Sequence, residues 1–243
     1  MVGLLGGDHL RQMVVDIGNT HTEFAIWQQG KWIDRYVVDT AKLMLEMFDF
    51  SSPVAVASVV PKWREILRQQ SNVVIPTPDN CCGKIDFSLV DASTLGADRL
   101  ANAVALAEFC ELPALAVDCG TAVTIEIVDE NRCFRGGAIA PGRKLMRNAL
   151  HCGTAQLPEL AMSGELRDFP GVDTGSSLSF GIDCGAIGMV KELIERCKKQ
   201  YNVTTSCYVT GGDAQFFAEH IPGLNEIRED FTLQGIRLAA FGS

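Results

Sequence analysis

The 243-residue sequence lacks several features that would place it in common classes of protein. No apolar run reaches about 18 residues, the length that a membrane-spanning helix needs, so no membrane span is predicted. The Walker A pattern Gly-Xaa4-Gly-Lys-Ser/Thr does not occur, which excludes a P-loop kinase. Residues 1–12 contain no basic segment followed by a long apolar one. We therefore expect no secretory signal there and interpret residues 1–12 as an extension or an expression tag.

Histidine and positive charge are scarce, and the cysteines follow no metal-binding spacing. The nine cysteines are an odd number without a Cys-Xaa-Xaa-Cys pair, a usage typical of reduced, cytoplasmic proteins. The four histidines are scattered and none has zinc-ligand spacing to a cysteine, so no zinc site is expected. With 21 Lys and Arg against 30 Asp and Glu, the net charge is −9. This balance disfavours nucleic acids and anionic membranes as partners.

Two short segments of the sequence repeat one pattern, in which an apolar strand leads through an aspartate into a glycine turn with hydroxyl or amide side chains. The first is Asp16-Ile17-Gly18-Asn19-Thr20 and the second is Asp118-Cys119-Gly120-Thr121-Ala122. Each is followed by two further predicted strands joined by a polar turn, over residues 22–38 and 123–139. The repeat predicts two halves of similar topology, with one glycine turn in each.

Both turns have residues that suit a phosphate site. Glycine lets the main chain approach a ligand closely, and successive N–H groups can bind phosphate oxygens. The aspartate ahead of each turn would repel phosphate, so it suits a cation that itself contacts phosphate. One such turn alone is more often a simple strand-end turn, but two at matching positions indicate paired phosphate loops for a metal nucleotide.

Elsewhere strands and helices alternate, as in an α/β protein with parallel strands. Strands are predicted at 54–60, 72–75, 114–117 and 205–210, and helices from Pro61 and at 98–110, 142–150 and 176–200. Pro113 marks the predicted boundary between an N-terminal domain at 13–112 and a C-terminal domain at 113–243. The turn Thr210-Gly211-Gly212-Asp213-Ala214 is either a surface for adenine or ribose or a plain strand-to-helix connection.

With these motifs the sequence resembles type III pantothenate kinases from residue 13 to about residue 240. Besides the two glycine turns, the resemblance rests on Leu95-Gly96-Ala97-Asp98-Arg99, on residues 136–142 and on residues 210–214. It implies an α/β fold of two RNase H-like (actin-like ATPase) domains, with mixed sheets flanking a nucleotide cleft. The implied reaction is ATP-dependent phosphorylation of pantothenate to 4′-phosphopantothenate, the first step of coenzyme A biosynthesis.

The resemblance also implies roles for single residues. Asp98 would be catalytic, as acceptor of the substrate's hydroxyl proton, and Arg99 would bind the pantothenate carboxylate. The full substrate-binding set is Gly96, Ala97, Asp98, Arg99 and Thr174. ATP binding is implied for Asp16, Gly18, Asn19, Thr20, His21, Gly120 and Thr121, with Mg²⁺ at Asp16 and a monovalent cation, K⁺ or NH₄⁺, at Asp118. Family members are dimers, so we expect a cytoplasmic homodimer with pantothenate as its small-molecule partner.

The sequence departs from the family pattern in two places. Leu89-Val90-Asp91-Ala92 stands where the family often has a tyrosine followed closely by Asn-Pro, and Asp173 replaces an asparagine before Thr174. Two alternative functions stay open beside the one that the resemblance implies. One is a kinase of the same superfamily that acts on another small acid or a sugar. The other is a nucleotide-binding accessory or regulatory protein without turnover.

Overall fold

The computed structural model describes residues 11–81, 83–201, 207–226 and 229–242. The described residues form two compact units, one made of those up to Glu108 with those from Asp230 onward, and one within Phe109–Glu229. The boundary at Phe109 lies near the one predicted after residue 112. The interpretation of residues 1–12 as an extension falls mostly outside the described residues, although Gln12 already belongs to the first strand.

The first unit is built on a five-stranded mixed sheet with the order β3-β2-β1-β4-β5. Its strands are β1 (Gln12–Ile17), β2 (His21–Gln28), β3 (Lys31–Asp39), β4 (Val54–Ser58) and β5 (Val73–Val74). Strand β1 pairs antiparallel with β2 and parallel with β4. The helices are α1 (Pro61–Arg68), α2 (Ala97–Phe109) and α6 (Phe231–Phe241), with 3-10 helices at Thr40–Lys42, Leu45–Met47, Pro78–Cys81 and Ala92–Thr94.

Successive residues of β1 point to opposite faces of this sheet, and each face has its own apolar core. Met13, Val15 and Ile17 join a cluster that also contains residues of β2, β4 and α1. Val14 joins a second cluster, with small residues of β2 and β4 and with residues of α2 and α6. The alanines on this second face let both helices approach the strands closely.

Helix α6 belongs to the first unit, whereas the sequence analysis assigned residues 113–243 to one C-terminal domain. Its Thr232 hydroxyl donates to Asn102 Oδ1 of α2 at 2.8 Å. A Cβ added at Gly235 would overlap the carbonyl group of Ala101, so glycine permits the close approach of the two helices. The chain therefore returns to the first sheet at its end, and this part of the predicted domain division needs correction.

The second unit contains a five-stranded mixed sheet with the order β10-β9-β6-β7-β8. Its strands are β6 (Ala114–Cys119), β7 (Ala122–Val128), β8 (Phe134–Pro141), β9 (Cys207–Thr210) and β10 (Asn225–Glu226). The helices are α3 (Arg143–Gly153), α4 (Thr174–Tyr201) and α5 (Ala214–His220). Alternate residues of β6, including Leu115 and Val117, share a core with the buried stripe of α4 and with the phenylalanines of α5.

The two sheets have the same connectivity, which confirms the mixed α/β fold and the repeat predicted from the sequence. In each, a central strand pairs with an antiparallel hairpin on one side and with a parallel strand on the other, and a second parallel strand pairs with that neighbour at the edge. The glycine turns therefore occupy equivalent positions, after β1 and after β6. No helix within the described ranges is both long and apolar enough to cross a membrane. The eight described cysteines are free thiols, and Cys82 lies outside the described residues.

Candidate active site

The glycine turn of the first unit joins β1 to β2 and is fastened by Thr40. The Gly18 N–H donates to the His21 carbonyl at 3.0 Å, which closes the turn. The Thr40 hydroxyl donates to the Gly18 carbonyl at 2.8 Å, and the Thr40 N–H donates to the Thr20 carbonyl at 2.9 Å. The hydroxyl groups of Thr40 and Thr22 lie 3.0 Å apart and are buried. Thr40 thus holds the main chain of the turn by neutral hydrogen bonds from its hydroxyl group and its N–H, a role that the sequence analysis missed.

Asp16 is half-buried near the carboxyl end of β1 and lies opposite Ala57 of the parallel strand β4. Ligands of α/β proteins commonly bind outside the carboxyl ends of parallel strands, so the position of Asp16 suits a ligand-bound cation. Asn19 and His21 are exposed on the turn that follows. The His21 Nε2 atom lies 4.0 Å from Asp39 Oδ1 at the end of β3.

Asp98 and Arg99 are the second and third residues of α2. The first residue, Ala97, is buried in the same apolar cluster as Ala57, so the start of the helix is anchored to the sheet. Asp98 Oδ1 accepts the Arg99 N–H at 2.8 Å. A Cβ added at Gly96 would lie 2.5 Å from that oxygen, so glycine leaves the space that the carboxylate occupies. Asp98 and Arg99 are both half-buried, so neither is shut off from solvent.

The glycine turn of the second unit lies against the start of α3. The Gly120 N–H donates to the Ala122 carbonyl, and the Thr121 carbonyl accepts the Gly142 N–H, both at 3.0 Å. A Cβ added at Gly142 would lie 2.7 Å from the Thr121 oxygen and would overlap the Gly120 oxygen. The 136–142 motif therefore ends in glycine because there is no space for a side chain at that position. Gly120 and Thr121 themselves are exposed.

A third turn, between β9 and α5, packs on Asp118. Gly211 has a φ of +91°, a conformation that favours glycine, and a Cβ there would lie 2.6 Å from Asp118 Oδ1. The Cys119 carbonyl accepts the Asp213 N–H at 3.0 Å. The turn for which the sequence left two interpretations is thus in direct contact with the Asp118–Thr121 segment.

Beside the glycine turn of the second unit and the third turn lies a buried cluster of ion pairs that the sequence analysis missed. Arg143 donates from Nε to Asp183 Oδ1 at 2.8 Å and from Nη1 to Asp213 Oδ1 at 3.2 Å. Arg147 donates from Nη2 to both Asp183 oxygens, at 2.8 and 2.9 Å. The side chains of Arg143 and Asp183 are 1% and 0% exposed. Burial raises the pKa of Asp213, while the nearby charges of Arg143 and Arg147 oppose that rise.

One signal in the sequence would have found this cluster. Asp183 precedes Ala186, Val190 and Ile194 at helical spacing, on the stripe of α4 that is buried. An aspartate on such a stripe needs a positively charged partner. The two arginines at i and i+4 on α3 are suitable partners, because side chains at that spacing lie on one face of a helix.

Thr174 is the first residue of α4, and Asp173 immediately precedes it. Asp173 Oδ1 accepts the Ser176 N–H at 2.8 Å, and hydrogen bonds from Ser176 lower the pKa of this carboxyl group. Asn and Asp are both preferred at helix N-termini, so the departure from the family's asparagine retains a suitable cap. Both residues line a cavity of about 890 Å³ with Leu150 and Leu178 among its apolar walls.

The other departure from the family pattern also has a local structural role. Asp91 precedes the 3-10 helix Ala92–Thr94, and its Oδ1 accepts from the Ser93 hydroxyl at 2.6 Å and from the Ser93 N–H at 3.0 Å. These two hydrogen bonds lower the pKa of Asp91. Leu89 is 55% exposed. The chain that leads to Gly96 is thus ordered by Asp91 and Ser93, without the family's Asn-Pro.

Within each unit, the structure brings part of the predicted set together. Asp16 lies beside the turn of residues 18–21, and Asp118 lies beside Gly120, Thr121 and the third turn. Thr174 lies by the cavity at the start of α4. The described ranges contain no group of three or more His, Cys, Asp and Glu side chains that could hold a metal ion. The role of each residue stays a prediction.

Solved structures share this fold. A Campylobacter jejuni protein described as a Baf family transcriptional activator aligns with a TM-score of 0.65 and 20% identity, over 93% of this chain and 96% of that one. Component A of (R)-2-hydroxyglutaryl-CoA dehydratase from Acidaminococcus fermentans aligns with a TM-score of 0.56 and 12% identity, over 96% and 98%. A Listeria monocytogenes protein described as an N-acetylmannosamine kinase gives 0.51 and 11%, over 95% and 98%. The chain has the fold of the actin-like ATPases and sugar kinases.

The sequence comparisons narrow this class to a family. The family model for type III pantothenate kinase matches residues 12–196. The type III pantothenate kinase of Rhodospirillum rubrum is 34% identical, over 92% of this chain and 95% of that protein. That of Akkermansia muciniphila is 32% identical, over 94% and 97%. The chain belongs to the type III pantothenate kinase family, which confirms the resemblance found in its motifs.

Proposed function

We propose that this chain transfers the γ-phosphoryl group of ATP to pantothenate, giving 4′-phosphopantothenate in the first step of coenzyme A biosynthesis. The observation that carries the proposal is the likeness to type III pantothenate kinases over 92% of the chain. The two glycine turns and the start of α2 support it, because they present the residue types that phosphoryl transfer needs. Such a reaction depends mostly on positioning and on neutralisation of charge.

In this proposal the turns at residues 18–21 and 120–121 hold the phosphates of ATP. Asp16 holds Mg²⁺, and Asp118 holds a monovalent cation, K⁺ or NH₄⁺. The fit rests on donor chemistry, because both side chains are half-buried carboxylates near strand ends and hard cations prefer oxygen ligands. When bound, Mg²⁺ would neutralise charge on the phosphate oxygens.

The start of α2 supplies the residues for the acceptor. Asp98 accepts the proton of the primary hydroxyl group of pantothenate as its oxygen bonds to the phosphorus, and ADP leaves. Arg99 binds the pantothenate carboxylate, for which its planar guanidinium group offers two parallel donors. The absence of a side chain at Gly96 keeps the Asp98 carboxylate in place and uncovered. Thr174 binds the same substrate from the rim of its cavity.

The proposal includes a cytoplasmic homodimer. The second unit has large exposed apolar side chains that an interface between subunits would cover. Among them are Leu145 at 43%, Phe169 at 76% and Val172 at 92% exposure. The free thiols of the described cysteines are in keeping with a reducing compartment.

An ADP-release assay tests the proposed reaction directly. The protein is given ATP and Mg²⁺ with pantothenate, other small acids or sugars in turn, each with and without K⁺. We expect ADP release that requires pantothenate and rises with K⁺, and a product whose mass equals that of phosphopantothenate. Turnover with a sugar or another acid alone would instead indicate a related kinase. ATP binding without turnover on any acceptor would indicate an accessory protein.

A further inference from the structure

The structure assigns Arg143 a positioning role in nucleotide binding by the second unit. We propose that its buried guanidinium group sets the distance between the start of α3 and the turn after β9, and thereby the shape of the Gly120–Thr121 loop. The inference rests on the proposed function, in which that loop holds phosphate. Arg143 is 1% exposed, so it acts through its neighbours and does not itself touch a ligand.

Arg143 joins three separate segments of the second unit. Its Nε donates to Asp183 of α4 at 2.8 Å and its Nη1 to Asp213 of the turn after β9 at 3.2 Å. Its Nη2 donates to the Ser163 carbonyl, in the segment between α3 and α4, at 2.7 Å. The guanidinium carbon also lies 3.4 Å from the ring centroid of Phe216 on α5. Only a planar group with several donors makes all these contacts at once, so lysine cannot replace it.

Each side of the Arg143–Asp213 ion pair is connected to the phosphate loop by a main-chain hydrogen bond. On one side, the residue before Arg143 is Gly142, whose N–H donates to the Thr121 carbonyl at 3.0 Å. On the other side, the Asp213 N–H donates to the Cys119 carbonyl at 3.0 Å. A change in the length of the ion pair would therefore move the two groups that hold the ends of residues 119–121.

The two arginines and two aspartates of the cluster balance in charge, so Arg143 pairs with Asp213 as well as with Asp183. Arg147 donates to both oxygens of Asp183, at 2.8 and 2.9 Å, so a second arginine balances that carboxylate. Buried ion pairs contribute little net stability compared with apolar residues of similar volume. We therefore explain this cluster by the position that it gives to the phosphate loop, and not by a contribution to the free energy of unfolding.

The test compares Arg143→Lys with Arg196→Lys. Arg196 also forms an ion pair through Nε, with Glu192 at 2.7 Å, but on the exposed face of α4. The Kd of ATP with Mg²⁺ is measured by calorimetry, and kcat and the KM of pantothenate by ADP release. For Arg143→Lys we expect the Kd of ATP to rise at least about tenfold, because lysine cannot make the contacts to Asp183, Asp213 and Ser163 at once and the loop would lose its shape. The KM of pantothenate should stay within about twofold, and Arg196→Lys should resemble the wild type.

Asp213→Asn provides a second, milder variant should Arg143→Lys fail to fold. It retains the shape of the side chain and leaves the pairing of Asp183 with Arg143 and Arg147 intact. We expect the same selective rise in the Kd of ATP. The inference is overturned if the Kd of ATP is unchanged in the folded variants, or if ATP and pantothenate are affected equally. A wild-type protein that binds ATP but does not phosphorylate pantothenate would refute the proposed function alone, since the binding measurement still decides the role of Arg143.

Discussion

The two units share one topology but fasten their glycine turns by different chemistry. In the first, neutral hydrogen bonds from Thr40 hold the turn, from its hydroxyl group to the Gly18 carbonyl at 2.8 Å and from its N–H to the Thr20 carbonyl at 2.9 Å. In the second, the backbone of Gly142 and Gly211 packs directly on the turn, and the Arg143–Asp213 ion pair connects the two segments that contact it. The connectivity of the sheet therefore determines where a glycine turn lies, but not what holds it in place.

The difference extends to a further turn in each unit. This turn follows the strand that pairs parallel with the central strand, which is β4 in the first unit and β9 in the second. In the first unit this turn is Val59-Val60, where the Val59 N–H donates to the Ile17 carbonyl at 3.1 Å. In the second it is Gly211-Gly212, where bare backbone approaches Asp118 and Cys119. In the second unit the bare backbone thus contacts the turn directly, and the Arg143–Asp213 ion pair lies next to this contact.

The largest expected effect lies in the first unit, which carries the chemistry in the proposed function. Asp98→Asn should lower kcat by about 10²- to 10⁴-fold, because the group that accepts the hydroxyl proton is lost. The Kd of ATP should be unchanged. Asp34→Asn is the matched control, since Asp34 also accepts the N–H of the next residue, at 2.9 Å, on an exposed strand. Undiminished kcat in Asp98→Asn, measured by ADP release, would remove Asp98 from this role.

The next largest expected effect is on the free energy of unfolding. It compares the ion pairs of the second unit with the neutral hydrogen bonds of the first. Asp183→Asn should lower the free energy of unfolding by about 3–5 kcal/mol, because it leaves buried arginine charge uncompensated. Thr40→Val removes only neutral hydrogen bonds and should cost about 1–2 kcal/mol. Urea denaturation of both variants gives these values. Equal losses would show that charge and hydroxyl groups support the turns to the same extent.

A pair of glycine substitutions compares the space around each turn. Gly142→Ala should destabilise the protein by about 1–3 kcal/mol, because its Cβ would overlap main-chain oxygens that cannot easily move. Gly18→Ala should cost less, since its Cβ would lie 3.0 Å from the His21 oxygen alone. Thermal unfolding ranks the two variants. A larger loss for Gly18→Ala would mean that the first turn is the tighter one.

The smallest effect concerns the departure from the family pattern at Asp173. Asp173→Asn should change Tm at pH 7 by less than about 2 °C, because asparagine caps a helix as well as aspartate does. Hydrogen bonds from Ser176 lower the pKa of Asp173 below its ordinary 3.8. The unfolded state therefore binds more protons, and the wild type loses this contribution as pH falls through the lowered pKa. The Asn variant should lack that acid-dependent loss, and an identical Tm profile below pH 4 would contradict it.

Much of the fold was predictable because its signals are local. The repeated Asp-Xaa-Gly turns and the strands around them were predicted to within a few residues, as was the long helix α4. The motif of residues 95–99 also indicated the start of α2. Helix α6 and its return to the first unit were not predicted, because its placement depends on packing against Ala101, about 130 residues earlier in the chain.

By itself the sequence determined most of the elements, the family and the two glycine turns, since glycine turns, apolar alternation and motif order depend on residues that are close together in the chain. Only the tertiary structure decided which side chains support those turns. Thr40 is 22 residues from Gly18, and Arg143 meets Asp183 and Asp213 at separations of 40 and 70 residues. A buried charge needs a partner of opposite sign, because burying it alone costs much free energy. The partner is close in the folded protein but far along the chain, so no short sequence motif reveals the pair.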